Sequence, residues 1–297
     1  MALRRSQATH AALIFASLPL SSAFLASKLG FFPSPKATST ASPFQRGRII
    51  GQEGMAGRFA RGISMSGQRI SVEDVLKNPK WPESWPYSPR DFSRTDESED
   101  EYFYDTPRLV YHIDDKAIGA LTEYYGKTIP EKSDILDICS SWVSHFPKDF
   151  PQKMGKRVGL GMNEFELSKN EQLSEFVVQN LNKNTKFPFP DNSFDVVTCV
   201  VSVDYLIQPL QIFQEVARVL RPGGRFIVSQ SNRCFPSKAI RIWLDTNDLE
   251  HIFIIGSYFH YAGGFNPAQA FDITPKRSIF SPPSDPMYII QAEKKLL

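Results

Sequence analysis

Asp204 and Tyr205 stand together just after a long apolar run. A carboxylate there can act as a general base, and a phenol can orient an acceptor. The competing reading makes Asp204 a turn cap before Pro209 and Tyr205 a packing residue, since no second catalytic partner adjoins them. His112, Ile113 and Asp114 place an imidazole beside a carboxylate. No other metal ligand falls at useful spacing, so the trio reads as a cap contact before a helix. Arg233, in Asn232-Arg233-Cys234, can grip an anionic substrate or make a surface ion pair. Cys139, Cys199 and Cys234 include no CxxC and read as small buried residues.

These side chains need strands to hold them, and the chain supplies a βαβ grammar. Pro190 to Ser193 is a turn cluster feeding the apolar run Phe194 to Val203, a buried strand. Pro209 opens a helix, where its missing N–H costs nothing. Pro222-Gly223-Gly224 reads as its stop signal, before a second apolar run. The core strands are expected at about 134–139, 156–161, 175–181, 194–203 and 224–231. Asn163 with Glu166 makes a capping-box-like helix start. Asp115 to Tyr125 has helical spacing, with Gly126 as its cap. Pro236 marks a helix carrying Ile240, Trp243 and Leu244. Tyr258–Phe271 and Met287–Lys294 read as a final antiparallel pair.

Phe187-Pro-Phe-Pro-Asp-Asn-Ser-Phe-Asp-Val-Val197 followed by Ala217-Arg-Val-Leu-Arg-Pro-Gly-Gly224 resembles the second half of class I S-adenosylmethionine (SAM)-dependent methyltransferases of the type 11 group. In that family the first strand ends in a Gly-rich loop. Here Ile135-Leu-Asp-Ile-Cys-Ser-Ser-Trp-Val143 keeps the strand and Asp137, while Cys139, Ser141 and Val143 replace the glycines. Gly161 takes the place of the acid that ends the second strand and binds ribose hydroxyls. The loop and the later Ser231-Asn-Arg-Cys-Phe-Pro236 resemble a plastid-associated plant and algal subgroup of methyltransferase-like proteins. The resemblance covers about residues 80–295.

It implies a Rossmann-like α/β domain: a doubly wound, mostly parallel seven-stranded sheet with helices on both faces. It implies S-adenosyl-L-methionine as cofactor. The expected pocket positions are Cys139, Ser140, Ser141 and Trp142; Gly161, Met162 and Asn163; Asn180 and Leu181; and Ser202. Trp142 would stack on adenine or fill the pocket, and Met162 would be an apolar shelf. If the cofactor binds, Asn163 or Glu164 would have to replace the missing acid, and an aspartate installed at 161 would tighten binding; a pocket filled by Trp142, Cys139 and Val143 would not respond. Asp204 and Tyr205 are the catalytic candidates. Two functions follow: methyl transfer to a small-molecule acceptor in the plastid, or a non-catalytic binding or scaffold module that has lost SAM. Binding of another nucleotide has less support, because no phosphate-cradling loop is present.

Charge and composition set the frame. The 297 residues are 41% hydrophobic and 22% charged, ordinary for a globular protein. The net charge of +2 hides an asymmetry: residues 1–70 hold nine of the 34 bases and one of the 32 acids, leaving the rest at −6. That argues against nucleic acid as a partner of the folded part. Arg4-Arg5, the apolar Ala11 to Leu20 and the small Ser21-Ser22-Ala23 read as a signal peptide, too short to span a bilayer. An acid-poor, Ser- and Arg-rich stretch follows. Residues 1–68 are thus expected to be a bipartite signal and transit peptide for the plastid (chloroplast), with a plain secretory signal as the competitor. Residues 69–113 are expected to be a Pro- and aromatic-rich wrapping arm anchored by Trp81, Trp85, Phe92, Tyr102 and Phe103, with a solvated acidic turn at 96–101. Residues 114–297 are the methyltransferase-like domain, with no transmembrane segment.

Overall fold

The structure, a computed structural model, describes residues 70–276 and 282–296. The expected presequence lies outside these residues. Among them, seven strands form one sheet: β1 (Ile135–Ile138), β2 (Arg157–Gly161), β3 (Glu175–Val178), β4 (Phe194–Val200), β5 (Leu220–Gln230), β6 (Gln269–Asp272) and β7 (Tyr288–Glu293). Their order is β3-β2-β1-β4-β5-β7-β6. The first five run parallel, and β7 lies antiparallel between β5 and β6. The expected seven-stranded, mostly parallel α/β sheet is therefore present. The chain winds outward from β1 to β3, then returns to place β4 on the other side of β1. This switch point is where an open α/β sheet leaves a crevice at its strand ends.

The longer helices among the described residues are α1 (Asp115–Thr128), α2 (Pro209–Val219) and α3 (Asp248–Ala262). Helix α1 starts at Asp114, whose carboxylate accepts from the backbone N–H of Lys116 and Ala117. It buries Leu121 and Tyr125 against Ile135, Val196, Ile227 and Ile289 on one sheet face. Helix α2 begins at Pro209 as expected, and Ile212, Phe213, Val216 and Val219 recur at helical spacing on its buried side. It packs on α3 over the opposite face, with the Phe213 ring 4.9 Å from Phe259 and 5.5 Å from Tyr258.

Several boundaries differ from the sequence reading. Helix α1 runs through Gly126 to Thr128, because the buried Ile129 closes it by donating to the Tyr125 carbonyl. Pro222-Gly223-Gly224 is not a helix cap. Strand β5 starts at Leu220 directly after α2, and Gly223 (φ +77°) turns inside it. Residues 258–262, expected in a strand, end α3. The β-branched and aromatic run Ile252 to Tyr261 suggests a strand locally, but Asn247 and Glu250 form a full capping box that commits it to helix. Pro236 opens no helix; only the short turn Arg241–Leu244 forms there.

The segment before α1 meets the rest of the described chain through its rings. Trp81 packs at 4.7 Å from Phe253, Trp85 at 5.9 Å from Tyr258, and Phe103 at 5.4 Å from Phe235. Tyr102 does not anchor it, being 78% exposed. Nor is the acidic run merely a solvated turn. Asp100 is buried and meets Arg94 at 2.5 Å. Lys238, wholly buried, inserts into the run and donates to the Ser98 carbonyl at 2.7 Å, with Asp96 Oδ2 at 3.2 Å and Asp100 Oδ1 at 3.4 Å. A buried ammonium needs such partners to offset its lost hydration.

Candidate cofactor and acceptor cavity

A cavity of about 280 Å³ opens at the carboxyl ends of β1, β2, β3 and β4. That is close to the lower end of the ~300–1,000 Å³ range of small-molecule sites. Its floor is the loop after β1. Asp137, buried on β1, accepts from the hydroxyls of Ser140, Ser144 and Thr198, each at 2.7 Å. Burial pushes its pKa up to about 6, and the three hydroxyl donors hold it from rising further. Two of those donors lie in the loop, so one carboxyl group folds it. Cys139 sits at φ +53° and His145 at φ +56°. Cys139 thus keeps the left-handed turn for which glycine is favoured, at a cost of about 1–2 kcal/mol. Ser141 and Val143 adopt no positive φ, so the other two glycine replacements need no such turn. Val201, after β4, is also left-handed at φ +39°. Cys139, His145 and Val201 all line the cavity. Backbone strain of this kind clusters at functional sites.

The second wall follows β2. Gly161, Met162 and Asn163 line the cavity. A Cβ at 161 would stand 2.0 Å from the Ser140 carbonyl oxygen, because the Ser140 N–H bonds the Leu160 carbonyl and draws the loop across the strand end. Glycine is a packing requirement there, and an aspartate cannot be added without displacing that loop. This overturns the expectation that Gly161→Asp would strengthen the site. Asn163 is a cap rather than a ligand. Its Oδ1 accepts from Glu166 N–H, and its Nδ2 donates to the carbonyls of Tyr104 and Asp105 in the arm. The acid on this wall is Glu166. Its carboxylate accepts from Ser141 Oγ at 2.5 Å and from the Arg108 backbone N–H at 2.6 Å.

Beyond β3, Asn180 and Leu181 line the cavity, together with Gln179 and Asn182. Asn180 Nδ2 donates to Glu101, and Asn182 Nδ2 donates to Asp100 and to the Tyr205 carbonyl. After β4, Ser202 lines the cavity with its hydroxyl turned back onto the Val200 carbonyl. The roof is the arm. Trp142 donates its indole N–H to the Val110 carbonyl at 3.2 Å and packs 4.9 Å from Tyr111. Tyr104, Arg108 and His112 complete that side. His112 meets the Phe235 ring edge-on at 5.3 Å, and burial lowers its pKa.

The two catalytic candidates separate. Tyr205 lines the cavity, and its hydroxyl oxygen accepts from the Phe235 N–H at 2.8 Å. Asp204 does not line it. Its side chain is buried behind the wall, and Oδ2 has no hydrogen-bond partner among the described residues. Burial pushes its pKa up to about 8. A general base must reach the proton it takes, and Asp204 has no such access. Arg233 stands at the rim, held by Asp285 at 2.9 Å. The cysteines are unpaired, and the buried Cys199 thiol is pushed up by its hydrogen bond to Cys139 and by burial. Among the described residues, no group of His, Cys, Asp and Glu could hold a metal, and no helix is long and apolar enough to cross a membrane.

Residues 159–228, which supply three sides of this cavity, match the family model described as a methyltransferase domain. The match spans 70 of the chain's 297 residues. S-adenosylmethionine is the cofactor such a domain implies. Among curated relatives, the demethylmenaquinone methyltransferase of Bacillus licheniformis is 29% identical over 111 residues, 35% of this chain and 47% of that protein. The malonyl-[acyl-carrier protein] O-methyltransferase of a Marinomonas species is 27% identical over 67 residues, 23% of this chain and 25% of that protein. The chain thus spans less than half the length of these relatives. Among solved structures, a SAM-dependent methyltransferase of Thermotoga maritima superposes with a TM-score of 0.43 at 18% identity, covering 61% of this chain and 90% of that one. The [4+2]-cyclase SpnF gives 0.46 at 13%, covering 66% and 92%.

The lining suits that cofactor in kind. An ionised carboxylate has about four acceptor sites, and Glu166 uses two, which leaves capacity for ribose hydroxyls or an ammonium group. Met162 and Leu181 offer apolar faces for a base. Glu166 is the residue that local reading missed. It was visible only as the third position of a helix cap, and the arm that brings Arg108 onto it carries no periodic signal.

Proposed function

We propose that this chain transfers the methyl group of S-adenosylmethionine to a small-molecule acceptor. The observation that carries this reading is the cavity itself: it lies at the topological switch point, and the segment that matches the methyltransferase-domain model supplies its walls at the ends of β2, β3 and β4. When bound, the cofactor supplies an electrophilic methyl group. Glu166, Met162 and Leu181 would hold it, and the Asp137-anchored loop would close its floor. Trp142 and Tyr111 cover part of the cavity, and its volume of about 280 Å³ favours a small acceptor over a macromolecular one. The acceptor's nucleophile gains the methyl group as the methyl–sulfur bond breaks, and its proton leaves to water at the cavity mouth. Catalysis of this type rests mainly on alignment. The plastid is proposed as the site of the reaction, on the reading of residues 1–68 as a signal and transit peptide.

Calorimetric titration of the full chain with SAM and S-adenosylhomocysteine tests the proposal. Both should bind, and Glu166→Gln should weaken both by about 1.5–3 kcal/mol, the contribution of a hydrogen bond to a charged group. If neither ligand binds the wild-type chain at millimolar concentration, the proposal fails.

A further inference from the structure

The charges lining the cavity are matched among the described residues, with one exception. Asp100 meets Arg94 and Lys238. Asp137 takes three hydroxyl donors, Glu166 takes two donors, and Arg233 is held by Asp285. His112 and His145 are both driven toward the neutral form by burial. The exception is Arg108. Its backbone N–H is pinned to Glu166, which fixes the residue. Its guanidinium makes no hydrogen bond or ion pair among the described residues. It rests only on rings, with Cζ 4.4 Å from the centroid of Phe103 and 5.4 Å from that of Phe235. Five N–H donors on a half-buried, always-charged group are thereby left for a ligand.

We infer that Arg108 and the rings around it form a subsite for an aromatic carboxylic acid, and that this is the acceptor class of the proposed methyl transfer. Phe235 is the centre of the wall. Phe103, which does not itself line the cavity, backs it at 5.4 Å and 70°, while His112 and Tyr205, which do, meet it at 5.3 Å and 78° and at 6.0 Å and 33°. Such a wall takes a planar ring by edge or offset contact. A guanidinium braced on ring faces keeps its planar fork oriented and pairs a carboxylate through two parallel N–H···O bonds. Lysine would supply charge without the fork. Met162, Gln179 and Asn180, at the ends of β2 and β3, bring no cation to the lining. The cavity therefore has an amide-and-thioether side and an aromatic, cationic side. The word acceptor rests on the methyl-transfer reading; the subsite does not.

The test uses the full chain and calorimetry with benzoate, 4-hydroxybenzoate, 4-hydroxyphenylacetate and 1-naphthoate, each against its primary amide. In the wild type at least one acid should bind about tenfold or more tighter than its amide, as expected for a charge-assisted pair. Arg108→Gln should bring that ratio to about one, and Arg108→Lys should leave an intermediate ratio. S-adenosylhomocysteine affinity should stay within about threefold in both variants. No acid preferred over its amide in the wild type overturns the inference, and this arm needs no variant to fold. If Arg108→Gln instead weakens S-adenosylhomocysteine about tenfold and spares the acid-to-amide ratio, the carboxylate recognised is the cofactor's, and the inference is also overturned. Equal loss of both ligands indicates a loosened arm and counts against it too. If S-adenosylhomocysteine fails to bind while Arg108-dependent acid selectivity persists, the methyl-transfer reading falls and the subsite stands.

Discussion

Replacing Asp204 by asparagine should make the chain's stability less dependent on pH. Asp204 is buried, with Oδ2 lacking any partner among the described residues. An ionised oxygen there would cost several kcal/mol, so the group keeps its proton. In the folded chain it does so up to about pH 8; in the unfolded chain it releases it near 3.9. Between those values the unfolded state binds fewer protons, so stability falls as pH rises. The slope is about 1.4 kcal/mol per pH unit, or roughly 2–3 kcal/mol between pH 5 and pH 7. Asparagine has nearly the same shape and does not titrate. Asp137, whose pKa is also raised, is common to both proteins and drops out of their difference. Urea denaturation at pH 5, 6 and 7 gives that difference directly. Asp204→Asn should gain on the wild type by roughly 2–3 kcal/mol across the series. A constant difference would mean that Asp204 ionises alike in both states. A drift in the other direction would mean an ionised, paired carboxylate, and either result would refute the burial argument.

Three further outcomes follow from the geometry. Gly161→Ala should destabilise the chain by about 1–3 kcal/mol, the usual cost of overpacking, because its Cβ meets the Ser140 carbonyl rather than open space; a change in urea midpoint equivalent to under about 0.5 kcal/mol would contradict this. Trp142→Ala removes the ring that roofs the cavity against Tyr111 and should weaken S-adenosylhomocysteine by about 1–3 kcal/mol, the range for a base–aromatic stack; tighter binding would show instead that Trp142 fills the pocket. A fluorescent protein fused to residues 1–70 should reach a plastid in an algal cell, whereas steady secretion would favour the plain signal peptide.

Local chemistry alone determined much of the framework. The turn cluster before Phe194, Pro209 at a helix start and the Asn163 cap all act over a few residues, so their outcome is written in neighbouring side chains. The loop after β1 was legible as a place but not as a geometry. Only the tertiary structure shows that, of the three residues standing for glycines, Cys139 takes the left-handed turn and Ser141 and Val143 do not, and that Asp137 gathers hydroxyls from two elements. Residues 258–262 were misread because β-branched and aromatic residues suit a buried helix as well as a strand, and the deciding cap lies outside that stretch. The largest gap concerns charge. Asp204 as a neutral buried acid, Lys238 inside the acidic run and Arg108 unpaired against the cavity all depend on which distant groups surround them. Desolvation and ion pairing are set by neighbours in space, and the order of residues along the arm does not name those neighbours.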